Sequence, residues 1–264
     1  TSECLQLQAM NPNLCIKNDA SYHDMYYMNP PAKDLSKIAS SDKVKKVQKD
    51  FEATHVRPQR LMKTLFTDEA YVKANVDEAR LMRRLFDLAC NMQSHDTDMQ
   101  LYSLFTDEEC YDLWSCNNLY WYLTHACSPV TDGLMPYREA DLLRNILDRA
   151  DAALKEGKNQ ATLRFGHESC LLPLVALLEL NHYGESYPDV EKLSEQWRAY
   201  DIFPMASNVQ FVFFHKKGSN DVLVKVLLNE KEAKLPVKTD VAPYYHWKDV
   251  ESYYREKLDK YQHI

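Results

Sequence analysis

The sequence predicts a helix-rich α/β protein, in which a helical domain is followed by part of an α/β domain with a terminal β-hairpin. Apolar residues recur with i, i+3, i+4 spacing over most of residues 43–156, which is the periodicity of amphipathic helices. From residue 160 onwards, short runs rich in β-branched and aromatic residues alternate with helical stretches, as in α/β domains. We therefore expect a helix end and linker over 1–42, a helical domain over 43–158 and the α/β segment over 159–264.

Local signals mark several helix ends in the helical region. An amphipathic stretch ends at Gly157, in the position where a left-handed cap terminates a helix. Thr106 and Glu109 have the spacing of a capping box, which predicts a helix that begins after Thr106. The pentapeptide Leu-Phe-Thr-Asp-Glu occurs at 65–69 and again at 104–108, but no longer period surrounds the two copies. We interpret both copies as helix starts and not as structural repeats.

The α/β segment is predicted to contain a strand followed by a helix, then a hairpin, a further strand and a final helix. The hairpin strands are Val209–His215 and Val222–Leu228, separated by a Lys-Gly-Ser-Asn turn. Pro236 places the strand after the hairpin at a sheet edge, because proline cannot donate to a ladder. The other predicted elements are a strand over 161–166, a helix over 171–180, a strand over 233–237 and a helix over 245–261.

Composition excludes several functional classes. The 264 residues carry a net charge of −7, which argues against non-specific nucleic-acid binding. The five glycines are isolated, so neither a dinucleotide-binding fingerprint nor a P-loop can be written. No apolar run reaches the roughly 18 residues that span a bilayer. The seven cysteines have no paired spacing typical of a zinc site, and we expect no metal or other cofactor.

The strongest candidate for chemistry is His167-Glu168, at the predicted junction between a strand and a helix. Ligands bind at the carboxyl ends of strands in open α/β sheets, and the N–H groups of a helix N-terminus favour an anion. A histidine donates a hydrogen bond to phosphate, and a glutamic acid can protonate a leaving group. The simpler alternative is a packed His167 and a Glu168 that only complements the helix dipole. A zinc-protease motif is excluded because Leu171 stands in place of its second histidine.

Two further groups are weaker candidates. Arg57, Arg60 and Lys63 follow i, i+3 spacing on a predicted helix, and they could bind an anion or form a solvated charged stripe. A cluster of aromatic and amide residues could bind a sugar or ring, although core or domain-interface packing is the favoured interpretation. Its members are Trp114, Asn117, Asn118, Tyr120, Trp121 and Tyr122.

Residues 163–168, Leu-Arg-Phe-Gly-His-Glu, followed by Leu-Pro-Leu at 172–174, resemble the second signature of the histidine acid phosphatases. These enzymes form branch 2 of the histidine phosphatase superfamily, and the resemblance is closest to the multiple inositol polyphosphate phosphatases and their bacterial relatives. Three other stretches resemble the family in the same order. They are Leu-Trp through Tyr-Trp at 113–121, Pro-Met-Ala-Ser-Asn at 204–208 and Leu-Leu-Asn-Glu-Lys at 227–231.

The resemblance implies hydrolysis of phosphomonoesters through a phosphohistidine, with inositol phosphates such as phytate as the leading substrates. It also implies a periplasmic, secreted or surface-associated protein. His167 would contact the phosphate, and Glu168 would protonate the leaving alcohol. Two features depart from the family pattern. The first concerns the proton donor. Glu168 follows His167 directly, whereas relatives have His-Asp or His-Ala-Glu, and Ser169 stands in the place of the glutamate of His-Ala-Glu.

The second departure concerns the nucleophile. The family's R-H-G-x-R-x-P motif does not occur in these 264 residues, and Thr54-His55-Val56-Arg57 is not a match. We therefore expect this chain to be the C-terminal part of the enzyme, to be inactive alone, and to have the N-terminal segment of the same protein as its partner. The alternative is a non-catalytic, degenerate phosphatase module that binds phosphorylated ligands or a protein partner.

Overall fold

The architecture is mainly helical, with one small sheet near the C-terminus. A computed structural model describes residues 2–17, 21, 25–28, 33–158 and 160–261, and so the predicted linker at 18–20, 22–24 and 29–32 lies outside the described residues. The helices are α1 (Ser2–Met10), α2 (Lys33–Ala39), α3 (Asp42–His55), α4 (Gln59–Leu65), α5 (Glu69–Asn75), α6 (Glu78–Asn91), α7 (Asp107–His125), α8 (Ala140–Glu156), α9 (Glu168–Leu177), α10 (Leu193–Gln196), α11 (Ala199–Ile202) and α12 (Trp247–Tyr261). The strands are β1 (Val209–His215), β2 (Val222–Leu228), β3 (Lys231–Glu232) and β4 (Tyr245–His246).

The predicted helix boundaries in the helical region are confirmed. Thr106 Oγ1 accepts a hydrogen bond from the Glu109 amide at 3.2 Å, and the Glu109 carboxylate accepts one from the Thr106 amide at 3.0 Å. Helix α8 ends at Gly157, whose φ of +64° requires the left-handed conformation that glycine adopts without strain. The first pentapeptide copy also starts a helix, since Asp68 caps α5 through the Tyr71 amide. Within the described ranges, no helix is both long and apolar enough to cross a bilayer.

The predicted hairpin is confirmed in both bounds and register. Strands β1 and β2 pair antiparallel from Val209 opposite Leu228 to His215 opposite Val222. The strand predicted at 233–237 is wrong, because the chain reverses at residues 229–230, both with positive φ, and pairs with β2 immediately, at 231–232. The helix predicted from residue 245 begins two residues later, since residues 245–246 pair with β2 as strand β4.

The strand predicted at 161–166 is also wrong. These residues form no strand, and Leu163 and Phe165 are 60% and 68% exposed. A strand exists only where a neighbour supplies ladder hydrogen bonds, and no strand in the described part of the chain pairs with this segment. Helix α9 follows it directly and covers Glu168–Leu177, three residues earlier at both ends than predicted.

Two apolar cores hold the elements together. The smaller one packs α4, α5 and α6 against the first half of α7, around Leu61 and Met82. The larger one combines residues of α3, α7 and α8 with residues of α9, β2 and α12, around Tyr122, Leu172 and Tyr254. This core crosses the predicted boundary near residue 158, and the division into two domains stays a prediction. Helix α9 is fixed because its apolar side chains lie in this core.

Candidate active site

His167 and Glu168 lie at the N-terminus of α9, and both are exposed to solvent. His167 is the N-cap residue, with an extended backbone, and its carbonyl accepts hydrogen bonds from the amides of Cys170 and Leu171 at 3.0 and 3.1 Å. Its imidazole makes no capping bond, so the ring is available to a ligand. The amides of a first helical turn have no partners within the helix, and together with the helix dipole they favour an anion at this end.

The residues around this turn hold it in place from two sides. On one side, the Cys170 thiol donates to the Met28 carbonyl at 3.1 Å. A Cβ at Gly166 would lie 3.3 Å from the Met28 methyl carbon, so the chain passes close to that side chain just before the site. On the other side, α9 packs against the 3₁₀ turn Met135–Glu139. Contacts with Met28 and with this turn therefore position the N-terminal part of α9, while its two polar side chains are exposed.

Arg164, three residues before His167, is half-buried and bonded to α8. One guanidinium nitrogen donates to Asn145 Oδ1 at 2.7 Å, and burial lowers the pKa of Arg164 from its ordinary value. Its Nε is buried without a hydrogen-bond partner among the described residues. Among the described residues, Arg164 thus links the segment that precedes the site to helix α8.

Two ionisable groups are buried in the helical region, and one of them lies on the turn that packs against α9. Glu139 ends the 3₁₀ turn that packs on α9, is only 3% exposed, and has one carboxylate oxygen without a partner in the described ranges. Burial raises the pKa of Glu139 to about 8. Burial, together with the charge of Arg138, lowers the pKa of His125 to about 4. Both groups are thus uncharged near neutral pH, and sequence analysis missed both, because burial of a charged residue type has no local signature.

The comparison with known proteins identifies the family. The sequence model of the histidine phosphatase superfamily (branch 2) matches residues 10–229. The chain belongs to this family. The human multiple inositol polyphosphate phosphatase 1 is 28% identical over 134 residues, which are 46% of this chain and 27% of that protein. The resemblance seen in the sequence is thereby confirmed.

Solved structures of a Bifidobacterium longum multiple inositol polyphosphate phosphatase share the fold. The complex with phosphate superposes with a TM-score of 0.59 at 19% identity, covering 92% of this chain and 60% of that one. The complex with inositol hexasulfate gives a TM-score of 0.57, also at 19% identity, covering 88% and 56%. The chain therefore spans little more than half of these relatives' length, and 27% of the human one.

The three basic candidates are paired with carboxylates in this branch 2 histidine phosphatase chain. Only Arg60 and Lys63 lie on α4, whereas Arg57 precedes the helix. Arg57 contacts Glu108 at 2.7 Å and also Asp112, Arg60 Nε donates to Glu109 at 2.7 Å, and Lys63 lies 3.8 Å from Glu69. Hydrogen bonds to Glu108 and Asp112 raise the pKa of Arg57. These pairs connect α4 and its approach to α7 and to the start of α5, and substrate binding by the three residues stays a prediction.

The aromatic cluster serves packing at its buried positions. Asn118 is buried and donates to the Trp197 carbonyl at 3.1 Å, while its side-chain oxygen accepts from the Ala199 amide at 2.8 Å. Tyr122 is fully buried, and Trp121 packs edge-on against Phe203. The cluster thus joins α7 to the segment around α10 and α11, in agreement with the packing interpretation.

Proposed function

We propose that the intact protein hydrolyses phosphomonoesters, with His167 as a phosphate contact and Glu168 as the proton donor to the leaving alcohol. The observation that carries the proposal is the position of these two exposed side chains at the N-terminus of α9. Free amides and the helix dipole attract the phosphate there, and the adjacent carboxyl can protonate an ester oxygen. Membership of the histidine phosphatase superfamily supports this reading.

The nucleophile must come from another segment of the intact protein. Its family motif is absent from these residues, and so we propose that the isolated chain has no turnover. The exposed side chains of Leu163 and Phe165 support the proposal of a further segment. A strand from that segment would cover these side chains and pair with the extended chain. The chain's coverage of only 56–60% of the bacterial relative's length leaves room for that segment.

Inositol phosphates, phytate among them, are the proposed substrate class. The human relative is a multiple inositol polyphosphate phosphatase, and the bacterial relative was solved with inositol hexasulfate. A substrate with many anionic groups needs several cationic contacts. In our proposal the segment outside this chain supplies most of them, since the arginines of the family motif lie there.

The decisive experiment compares two substrates in the full-length protein. Glu168→Gln should reduce turnover of alkyl phosphates by about 100-fold or more, the usual size of general-acid catalysis. Turnover of p-nitrophenyl phosphate should fall far less, since its leaving group needs no proton. Glu156→Gln, at the exposed end of α8, serves as the matched control. Equal losses on both substrates would contradict the role of Glu168.

A non-catalytic phosphate-binding module is the second candidate, and the His-Glu-Ser sequence in place of the family pattern favours it. Phosphate release and thermal stability of the full-length protein distinguish the two functions. Absent turnover together with a rise in Tm on adding tungstate, abolished in His167→Ala, would support the binding module. Turnover by the full-length protein would exclude it.

A further inference from the structure

A cavity of about 570 Å³ lies apart from the candidate active site, within the size range of small-molecule pockets. It is lined by the turns that follow α7, by the C-terminal end of α9, by residues 184–186 and by α12. His167 and Glu168 are at the opposite end of α9. A helix of ten residues is about 15 Å long, so the two sites are distinct.

An oriented ion pair forms the polar wall of this cavity. Lys257 Nζ lies 3.1 Å from Glu179 Oε2 and donates to the Leu177 carbonyl at 2.7 Å. The Tyr253 hydroxyl donates to the same Glu179 oxygen at 2.6 Å. The lysine and glutamate side chains are only 18% and 33% exposed. Both contacts of the Glu179 carboxylate are made through Oε2, and among the described residues Oε1 receives no hydrogen bond.

The backbone around the cavity is held in an uncommon conformation. Glu179 and Asp132, both in the lining, have φ angles of +52° and +53°. Non-glycine residues rarely adopt such angles, and those that do cluster at ligand sites. Gly184 is required beside Glu179, because a Cβ there would lie 2.5 Å from Glu179 Cγ. The carboxylate is thus positioned by its backbone as well as by its partners.

The chemistry of the lining selects an uncharged, hydroxyl-rich ligand. Lys257 and Glu179 form an ion pair whose charges offset each other, and Asp132 adds one negative charge, so the lining disfavours phosphate. The Tyr137 hydroxyl adds a further donor, and burial raises the pKa of Tyr137 so that it stays protonated. Pro129 and Pro136, also in the lining, contribute apolar surface to the same cavity. A lining that combines donors and acceptors with apolar surface matches the hydroxyl edges and C–H face of a cyclic polyol.

We propose that this cavity binds an uncharged cyclic polyol through Glu179, Lys257 and Tyr137. The site does not depend on the phosphatase chemistry proposed above, and its test does not measure turnover. A phosphomonoesterase that acts on a phosphorylated polyol would release a molecule of this class, so product binding would be a natural use of such a site.

Calorimetric titration of this chain with myo-inositol tests the proposal. We expect saturable binding below about 50 mM, a range that detects even a Kd of about 10 mM. Glu179→Gln should weaken it at least about tenfold, which corresponds to loss of a charge-assisted hydrogen bond. Tyr137→Phe should also weaken it, and we expect this variant to fold, because phenylalanine keeps the ring that stacks on Tyr261 at 4.1 Å in the wild type.

The control variant is Asp98→Asn, on an exposed loop outside the cavity lining, and its affinity should equal that of the wild type. Saturable binding that is weakened in Tyr137→Phe and unchanged in Asp98→Asn would support the site. No saturable binding, or equal affinity in all variants, would overturn the proposal. Binding of inorganic phosphate that is tighter than that of myo-inositol and is weakened in Tyr137→Phe would overturn the ligand class.

Discussion

Glu139 should make the stability of this chain fall as the pH rises, and replacing it by glutamine should remove that dependence. The folded state holds the carboxyl away from water and raises its pKa from 4.5 to about 8. The folded protein therefore binds a proton more tightly than the unfolded chain. This contribution to stability is fully present below pH 4.5 and is lost as the pH rises towards 8.

The magnitude follows from the two pKa values. Each pH unit between them corresponds to about 1.4 kcal/mol, so moving from pH 5 to pH 7.5 should remove about 3 kcal/mol of the free energy of unfolding. Glutamine has nearly the same shape and no charge at any pH. Glu139→Gln should therefore be close to the wild type, or less stable, at pH 5, and should gain about 3 kcal/mol relative to it by pH 7.5.

Urea unfolding at pH 5, 6, 7 and 7.5 measures this difference, because the contributions of all other groups cancel between the two proteins. Glu156→Gln, an exposed residue at the end of α8, is the matched control and should parallel the wild type. If the Glu139→Gln and wild-type curves run parallel over this range, the carboxyl is not held in the uncharged form by burial, and the reasoning is refuted.

Three other substitutions test the packing and the second buried group. Asn118→Ala should cost about 2–4 kcal/mol, because it leaves two buried backbone groups unpaired, and urea unfolding should show a lower midpoint with the same slope. Burial lowers the pKa of His125 from 6.5 to about 4, so the wild type should lose up to about 3 kcal/mol as the pH falls through this range. His125→Gln should lack that loss. Urea unfolding at pH 4, 5 and 6.5, followed by circular dichroism, measures the difference, and an equal loss of stability in both proteins would contradict the role of His125. Gly184→Ala would place a methyl group 2.5 Å from Glu179 Cγ, and we expect a loss of about 1–3 kcal/mol, seen as a lower Tm; an unchanged Tm would contradict the close approach.

Features that depend on neighbouring residues were predictable. The Thr106 and Glu109 capping box, the left-handed cap at Gly157 and the register of the β1–β2 hairpin are all set within a few residues, and the structure confirms them. The candidate pair His167-Glu168 was also found locally, because a histidine and a carboxyl at a helix start combine with a family signature. Its placement at the N-terminus of α9 agrees with the expected helix start, whereas the strand expected before it does not form in the described residues, and its role remains a proposal.

Features that depend on distant partners were not predictable from periodicity. Residues 161–166 have the composition of a strand and no strand beside them in the described part of the chain, so their apolar side chains are exposed. Arg57 and Arg60 looked like free cations, but α7 brings carboxylates to both. Nothing in the local sequence distinguishes such a pair from a solvated stripe, because each partner lies about fifty residues away.

The sequence by itself determined the helix caps, the hairpin, the family signature and the exclusion of glycine-rich phosphate loops, since all of these are encoded in short stretches of chain. Only the tertiary structure decided that Glu139 is buried with one carboxylate oxygen unpaired among the described residues, that Asn118 joins α7 to α11, and that Glu179 and Lys257 line a cavity. The physical reason is the same in each case. Burial, pKa and ion pairing are properties of the space around a side chain, and that space is filled by residues from elsewhere in the chain.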